Sequence, residues 1–540
     1  PEVERRIRDI LAQPKTRTIV LYHNPGAGAT TLARRLAWDL RGEVPTVILH
    51  TYSPNMADRL ANLYTRAELP VLLIAESDVL PEARREDLYR ELSSRNARVV
   101  LLYLRRSFAP SGSEGDLFLP GSMASNEEAN RFKQRYLQLT EEPHRRTELG
   151  RITSDERLRA YRTPFFYGLV TYERDFQGTE SFVTNHLENV WGKAADVLRY
   201  LAMITIYTNS GLQKSILGRL IDRKLSRVTD LSPTDLLGER PAGLVVNREG
   251  RLRLLHQIIS EEVFDRLVEA RSPGAWRLEL KKIAVDFIED LARVVDHDSE
   301  VVIDLLRQLF IERSGRGVDD AEDRQEFAPL IEDVDAIDKT LGHQVLLALT
   351  ECFAGEAHFW NHLGRHHIYR MDRDFDEAES YLVKAVSLAP DDYIHHHTLG
   401  LVRRSRVRQV VRGSDSRRLA QLLDEIEPYF DGAAEAFGRT REIRPDNMYG
   451  YITHVQMITH VLSRMRELAG IHSIGELPEH QRSWVQGQLS IANDLLQSAG
   501  ELYGTLDRQD RYLTTCLGDI QSLYGNVEDT IQLWELQLER

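Results

Sequence analysis

Residues 18–22 read TIVLY, a short run of branched apolar residues. They pass through HNPGAGATT (23–31) straight into LARRLAWDL (32–40), whose leucines recur at helical spacing. Strand, glycine-rich turn, helix is the context a P-loop needs. Glycines let backbone N–H groups converge on phosphate, and the helix N-terminus adds partial positive charge. Asn24, Pro25, Gly26, Ala27, Gly28, Ala29, Thr30 and Thr31 form the candidate cradle, with the Thr30 hydroxyl placed to hold magnesium. The pattern GxxxxGK[ST] is broken twice, by His23 at the first glycine and by Ala29 at the lysine. The missing lysine removes a point charge from the β- and γ-phosphates, so turnover should suffer more than binding. The alternative is an ordinary helix start beside an unrelated glycine turn.

Further strands are expected at 46–50, 70–75 and 98–104, with helices at 31–41, 55–67 and 82–95. This alternation predicts an α/β unit with a parallel, doubly wound sheet and ligands at the strand C-termini. The third strand ends in Glu76-Ser77-Asp78, an apolar strand followed by acids. In the Walker B arrangement such an acid holds the hydrated magnesium or orients the attacking water, and Glu76 and Asp78 are the candidates. The fourth strand ends in Arg105-Arg106. Arg105 there can reach a γ-phosphate, or the pair is simply a solvated edge.

PSGSEG (110–115) closes this core. A helix is expected over 126–136 with Ser125 as N-cap. Others are expected from Arg162 through Phe176 and over 194–222, then a β-hairpin over 244–256 turning at Asn247–Gly250 and a helix over 257–268. Helices leading into such a hairpin suggest a winged helix.

Together, NPGAGATTLARRLAWDL, LPVLLIAESDVL, VVLLYLRRS, RTPFFYGLVTYERDF and RLRLLHQIISEEVF resemble the nucleotide-binding region of the sterile-alpha-motif-domain-containing protein 9 family over about residues 15–270. That family and its bacterial relatives are signal-transducing ATPases with numerous domains. The resemblance implies a P-loop without the usual lysine and a nucleotide-controlled switch between closed monomer and oligomer. It also implies helical repeats downstream and an effector domain elsewhere in the full chain. By the same resemblance, His256 contacts the nucleotide phosphates and holds the closed state, and Pro164 of the lid packs on the base. The local alternatives are a histidine at the end of the hairpin and a proline at a helix N1 position.

Amphipathic helices are expected at 279–295 and 299–313. After them, Trp360, Leu363 and Gly364 precede Ala378, Leu382, Ala385 and Pro390. Leu399-Gly400 precedes Ala433, Phe437 and Pro445, and Leu517-Gly518 precedes Thr530 and Trp534. Small, aromatic and proline residues at these offsets are the tetratricopeptide pattern, which predicts an all-α solenoid. The second copy contains a long basic insertion, with Arg403, Arg404, Arg406 and Arg408 as a candidate contact for nucleic acid or an acidic partner. A solvated helix face is the other reading. His358, His362 and His366 share a helix face and precede His395–His397. Metal binding there would need further ligands, and groove filling is favoured.

The net charge of −14 excludes a generic polyanion binder, and two cysteines exclude a disulfide framework. No apolar run reaches a membrane-spanning length, so no membrane partner is expected and a reducing cytoplasm is. Nine of the 69 basic residues are lysine, which suggests a bacterial source, and a chain starting at Pro1 and ending inside a repeat suggests a piece of a longer protein. The expected domains are an NTPase core (1–115), helical lid (116–190), winged helix (191–272), helical linker (273–350) and tetratricopeptide-like repeats (351–540). The expected function is the nucleotide-binding, oligomerising module of an antiviral (antiphage) defence protein. It would bind ATP or ADP, or dATP, with Mg2+ on Thr30 and Glu76, self-associate under nucleotide control, and hydrolyse slowly or not at all. The alternative is a non-enzymatic scaffold that binds protein or nucleic acid through its repeats.

Overall fold

A computed structural model describes residues 2–23, 27–77, 79–80, 82–106, 117–119, 125–173, 178–208, 210–221, 232–248, 250–270, 272, 274–312, 326–371, 374–414, 419–506 and 511–525. The chain is mostly helical and divides into two compact units. One comprises Pro1–Val295 with Asp304–Val334, the other Asp296–Ile303 with Asp335–Arg540.

The first unit opens with α1 (Glu2–Leu11) and β1 (Arg17–His23). These are followed by α2 (Ala29–Leu40), β2 (Thr46–Ile48), α3 (Met56–Ala67), β3 (Val71–Glu76), α4 (Glu82–Ser94), β4 (Val99–Arg106) and β5 (Leu117–Leu119). The five strands are parallel in the order β2-β3-β4-β1-β5. Ile19, Leu21, Leu72, Ile74, Val100 and Leu102 pack under α1 and α2. The intervening Val20, Tyr22, Val71, Leu73, Val99, Leu101 and Tyr103 pack under α3 and α4. Burial on both faces is why these strands read as unbroken apolar runs rather than as alternations.

Next come α5 (Asn126–Leu137), α6 (Pro143–Ser154), α7 (Pro164–Tyr172), α8 (Thr179–Leu187) and α9 (Lys193–Tyr207). Ser125 caps α5 in a reciprocal box with Glu128. The expected helix over 194–222 is interrupted. It ends at Tyr207, and β6 (Leu212–Gln213) intervenes before α10 (Lys214–Leu220). Gly211 explains the break: a Cβ there would lie 2.8 Å from the Leu252 carbonyl oxygen, so the backbone is committed to a strand contact. After α11 (Pro233–Leu237) and α12 (Glu239–Ala242), the hairpin β7 (Val245–Arg248) and β8 (Arg251–Leu254) completes an antiparallel sheet of order β6-β8-β7. Helices α13 (Gln257–Leu267) and α14 (Leu280–Val294) follow. α15 (Glu300–Phe310) and α16 (Pro329–Asp335) carry residues of both units.

The second unit is helical: α17 (Lys339–Cys352), α18 (Ala357–Tyr369), α19 (Phe375–Leu388), α20 (Tyr393–Gly413), α21 (Leu419–Ile443), α22 (Tyr449–Ala469), α23 (Glu479–Leu506) and α24 (Arg511–Tyr524). The small residues of the repeat pattern lie where helices meet. A Cβ on Gly364 would come within 2.7 Å of Leu382, and one on Gly400 within 2.4 Å of the Phe437 ring. Among the described residues, the extra length of the second copy extends α20 and α21 rather than forming a separate loop. Thr530 and Trp534 of the third copy lie outside the described residues. No described helix is long and apolar enough to cross a membrane.

Candidate functional site

The C-terminal ends of β1, β4 and β3 lie side by side. His23 pairs with Arg106, Tyr22 with Arg105, and Glu76 with Leu104, which is itself level with Leu21. Because β4 separates β1 from β3, Glu76 stands two strand spacings from β1, about 10 Å across the sheet. Asn24, Pro25, Gly26 and Asp78 lie outside the described residues. The described part of the turn ends in Gly28, with φ +82° and ψ 20°, and open space where a Cβ would be. A left-handed residue here reverses the chain so that α2 starts at the sheet edge, and glycine does this without steric penalty. Leu32 N donates to Gly28 O at 2.8 Å, closing the first turn. Among the described residues no side chain caps α2. Its leading N–H groups, as at any helix start, have no intrahelical acceptor.

Ala29 is buried, Thr30 is half-buried and Thr31 is exposed. Glu76 is half-buried, and its carbonyl accepts from the Val79 and Leu80 amides, so the chain turns directly after the strand. Arg105 sits at the expected edge but on the α3/α4 face. It is buried, with its guanidinium 6.0 Å from the Tyr22 ring centroid, whereas Glu76 follows Leu72 and Ile74 in the alternation of the α2 face. The structure thus puts the start of α2 and Glu76 on one face of the sheet and Arg105 on the other.

Pro164 occupies the first position of α7, after Thr163, whose hydroxyl accepts from the Phe166 amide at 3.3 Å. His256 caps α13, with Nδ1 accepting from the Ile258 amide at 3.2 Å. That bond leaves the proton of the neutral ring on Nε2, the tautomer able to donate to an anion. Arg162, which the sequence did not single out, is 1% exposed. It donates to Ile152 O (3.1 Å), Asn126 Oδ1 (2.6 Å), Asp155 O (3.4 Å) and Glu156 Oε1 (2.9 Å), tying α5 and α6 to the approach to α7. Nothing in its sequence neighbourhood marks it as different from the many exposed arginines.

In the second unit the arginines of α20 are engaged in packing. Arg403 donates to Glu379 (2.7 Å) and to Gly432 O (2.9 Å). Arg404 is buried and reaches Gln456 (3.0 Å). Arg406 pairs with Asp376 and lies 5.1 Å from the Tyr429 ring centroid. Arg408 is half-buried and also partnered. The four arginines therefore pack between helices and form neither the solvated face nor the open basic surface that the sequence suggested. His366 Nε2 lies 3.0 Å from Asp335 and His367 Nε2 lies 3.2 Å from His343 Nδ1. Burial pushes His343 and His367 below the ordinary histidine value, and pushes His397 and His454 down to about 3, with nearby arginines adding to the effect.

Fold and site define a mostly helical chain with a small parallel sheet, in which a glycine turn opens a helix beside an acid-ended strand. The resemblance seen in the sequence holds. The chain is similar to human sterile alpha motif domain-containing protein 9-like (25% identical over 76% of this chain) and human sterile alpha motif domain-containing protein 9 (22% over 80%). The mouse 9-like protein aligns at 22% over 91%. It spans 27%, 28% and 32% of those relatives' lengths, respectively. No protein-family model matches. Among solved structures, a signal transduction ATPase with numerous domains bearing a tetratricopeptide repeat sensor, from Pyrococcus horikoshii, aligns at 12% identity. That alignment covers 98% of this chain and 84% of that one, with a TM-score of 0.27. A human IFIT1 dimer with m7Gppp-AAAA aligns at 13% identity, covering 77% and 95%, with a TM-score of 0.23.

Proposed function

We propose that the first unit is a nucleotide-binding regulatory module. ATP or ADP, or dATP, would sit on the 24–31 turn, with Mg2+ between the Thr30 hydroxyl and Glu76. The observation that carries this reading is the left-handed Gly28 opening α2, which no described side chain caps, at the same sheet edge as Glu76, one strand removed. The gap of about 10 Å suits a bound phosphate and a hydrated cation rather than direct contact. Chain 1–115 is the core on this reading, 116–190 the lid and 191–272 a winged helix, with 273–350 linking to repeats over 351–540. His256, through Nε2, donates to a phosphate oxygen and so favours a closed state. Hydrolysis is slow or absent because Ala29 supplies no charge to the γ-phosphate. Nucleotide exchange would then control self-association, and the similarity to the sterile alpha motif proteins favours an antiviral defence role with the effector outside this chain.

The test is to denature the purified chain and identify released nucleotide by ion-pair chromatography. Occupancy near one per chain is expected, and it should be lost in Gly28→Asp and Thr30→Ala. An empty protein with no thermal shift from added ATP refutes the reading, because ligand raises stability only by binding the native state. One observation favours the scaffold alternative. Ala29 is buried in the helix start, so the position is built for a small residue, and the repeats would then carry binding to protein or nucleic acid.

A further inference from the structure

The first turns of α18 and α20 bring three metal-ligating side chains to one point. His358 is the second residue of α18, Asp392 caps α20, and His395 lies three residues into it. Asp392 divides its carboxylate. Oδ1 accepts from the Ile394 amide at 2.9 Å, whereas Oδ2 lies 3.6 Å from His358 Nε2 and 3.7 Å from His395 Nε2. All three ligand atoms lie within 4.8 Å of one another, and the two imidazole planes are inclined at 66°. The His395 side chain has no exposed surface, and neither ring nitrogen has a hydrogen-bond partner among the described residues. A buried imidazole in that state is destabilising unless something satisfies it.

Two imidazole nitrogens and a carboxylate oxygen are a donor set for a borderline divalent ion. Zinc takes such ligands at about 2.0–2.2 Å, which places the donor atoms of a tetrahedron about 3.3–3.6 Å apart. The two edges from Asp392, 3.6 and 3.7 Å, are close to that, and the edge between the imidazoles, within 4.8 Å, closes by rotation of the rings onto a bound ion. His358 and Asp392 are each 26% exposed, so water can reach a fourth position. The two helix N-termini disfavour a cation. Asp392 and Glu356 oppose that effect, and Glu356 Oε1 accepts from the His358 amide at 3.2 Å. His396 takes no part: its Nε2 lies 2.8 Å from Pro390 O.

We propose that His358, Asp392 and His395 bind one divalent ion of the zinc class, with water completing the coordination, and that the ion staples α18 to α20. The staple joins helices separated in sequence by α19, so it forms only in the folded unit, and binding adds to stability. It is independent of the nucleotide site.

The experiment uses the untagged full chain, stripped with chelator and titrated with Co2+ and then Zn2+. About one Co2+ per chain should give the d–d absorption of a four-coordinate site, be displaced by Zn2+, and raise the melting temperature. Asp392→Asn keeps an N-cap of equal quality and removes the ligand charge. His358→Gln alters a half-buried position only. Each should weaken Co2+ binding by roughly 100-fold or more. Wild-type protein with no Co2+ band and no zinc-dependent shift overturns the proposal. So does binding undiminished in both variants, which would move the ion to another histidine group such as His343–His367.

Discussion

Gly400 offers a test of how the repeats pack. A methyl group there would lie 2.4, 2.7 and 2.9 Å from three atoms of the Phe437 ring, against an ordinary carbon–carbon contact of about 3.5–4.0 Å. Phe437 is fully buried, and its ring meets His397 at 5.7 Å and His454 at 5.9 Å between centroids, so it has no free space to swing into. Overpacking of this kind costs about 1–3 kcal/mol. Against it, Gly→Ala in a helix interior stabilises by about 0.8–1.0 kcal/mol. Gly400→Ala should therefore destabilise by up to about 2 kcal/mol net. Gly487→Ala, in α23 with nothing within 4 Å of its Cβ, should stabilise by about 0.5–1 kcal/mol. The chain has two units and is not expected to unfold in one step, so the readout is hydrogen exchange of α20, α21 and α23 peptides across a urea series. Phe437→Leu added to Gly400→Ala should be less damaging than the sum of the single changes. The reasoning is refuted if Gly400→Ala is as stable as Gly487→Ala, or if the double variant shows no coupling.

Three further outcomes are expected. Ala29→Lys restores the missing point charge at the start of α2 but replaces a methyl that is 2% exposed, so it should lower stability; in the folded protein that still binds nucleotide it should raise phosphate release from ATP on the order of 10-fold or more. An unchanged rate in protein that still binds nucleotide would show that the lysine is not what hydrolysis lacks. Arg162→Met removes four donated hydrogen bonds from a buried site and should cost at least about 2 kcal/mol, read as faster exchange in α5, α6 and α7 peptides. His397 and His454, held neutral down to about pH 3 when folded, protonate near pH 6.5 when unfolded. The unfolded chain thus binds more protons between those values, so stability falls as pH drops through 6.5. The loss is on the order of 2 kcal/mol per ring from pH 7 to 5. A urea midpoint for α20–α22 that is flat over that range contradicts the burial argument, and His454→Gln should flatten it by about half.

What the sequence discloses follows from which interactions are local. The cores of β3 and β4 are legible because both faces are covered, so Val71–Glu76 and Val99–Arg106 need no alternation to be recognised. Ser125 is legible because its capping partner is three residues away. The break after Tyr207 is not, because it depends on Gly211 lying against Leu252 in a strand that comes forty residues later. Strand order is equally hidden: nothing within Val99–Arg106 says that it inserts between β1 and β3, and that insertion decides which face Arg105 occupies. Helical spacing gathers Arg403, Arg404 and Arg406 onto one segment but does not see Glu379, Gln456 and Asp376 waiting on other helices. The sequence reading passes over Asp392, because only the fold turns its second oxygen toward two imidazoles.

On the proposed reading, the loss of lysine separates two things a P-loop ordinarily does together. Backbone amides and a helix N-terminus hold the ground-state phosphates, whereas the lysine acts most on charge that develops during transfer. A switch needs the first and can dispense with the second. It also needs more than tight binding, since moving an equilibrium from 1:99 to 99:1 takes about 10⁴-fold tighter binding to one state, about 5.5 kcal/mol, and equal affinity for both states moves nothing. The turn at Gly28 belongs to the rigid core and would contact nucleotide in either state. The discrimination must then come from groups outside the core. His256 is the candidate, because its cap bond to Ile258 fixes the ring in the tautomer that can donate from Nε2. His256→Asn, which retains capping ability, should therefore shift the monomer–oligomer balance at constant nucleotide occupancy, measured by mass photometry beside released-nucleotide analysis. Ala29→Lys should change turnover with little effect on that balance. The reverse pattern would mean that the core, not the small antiparallel sheet and its helix, carries the switch.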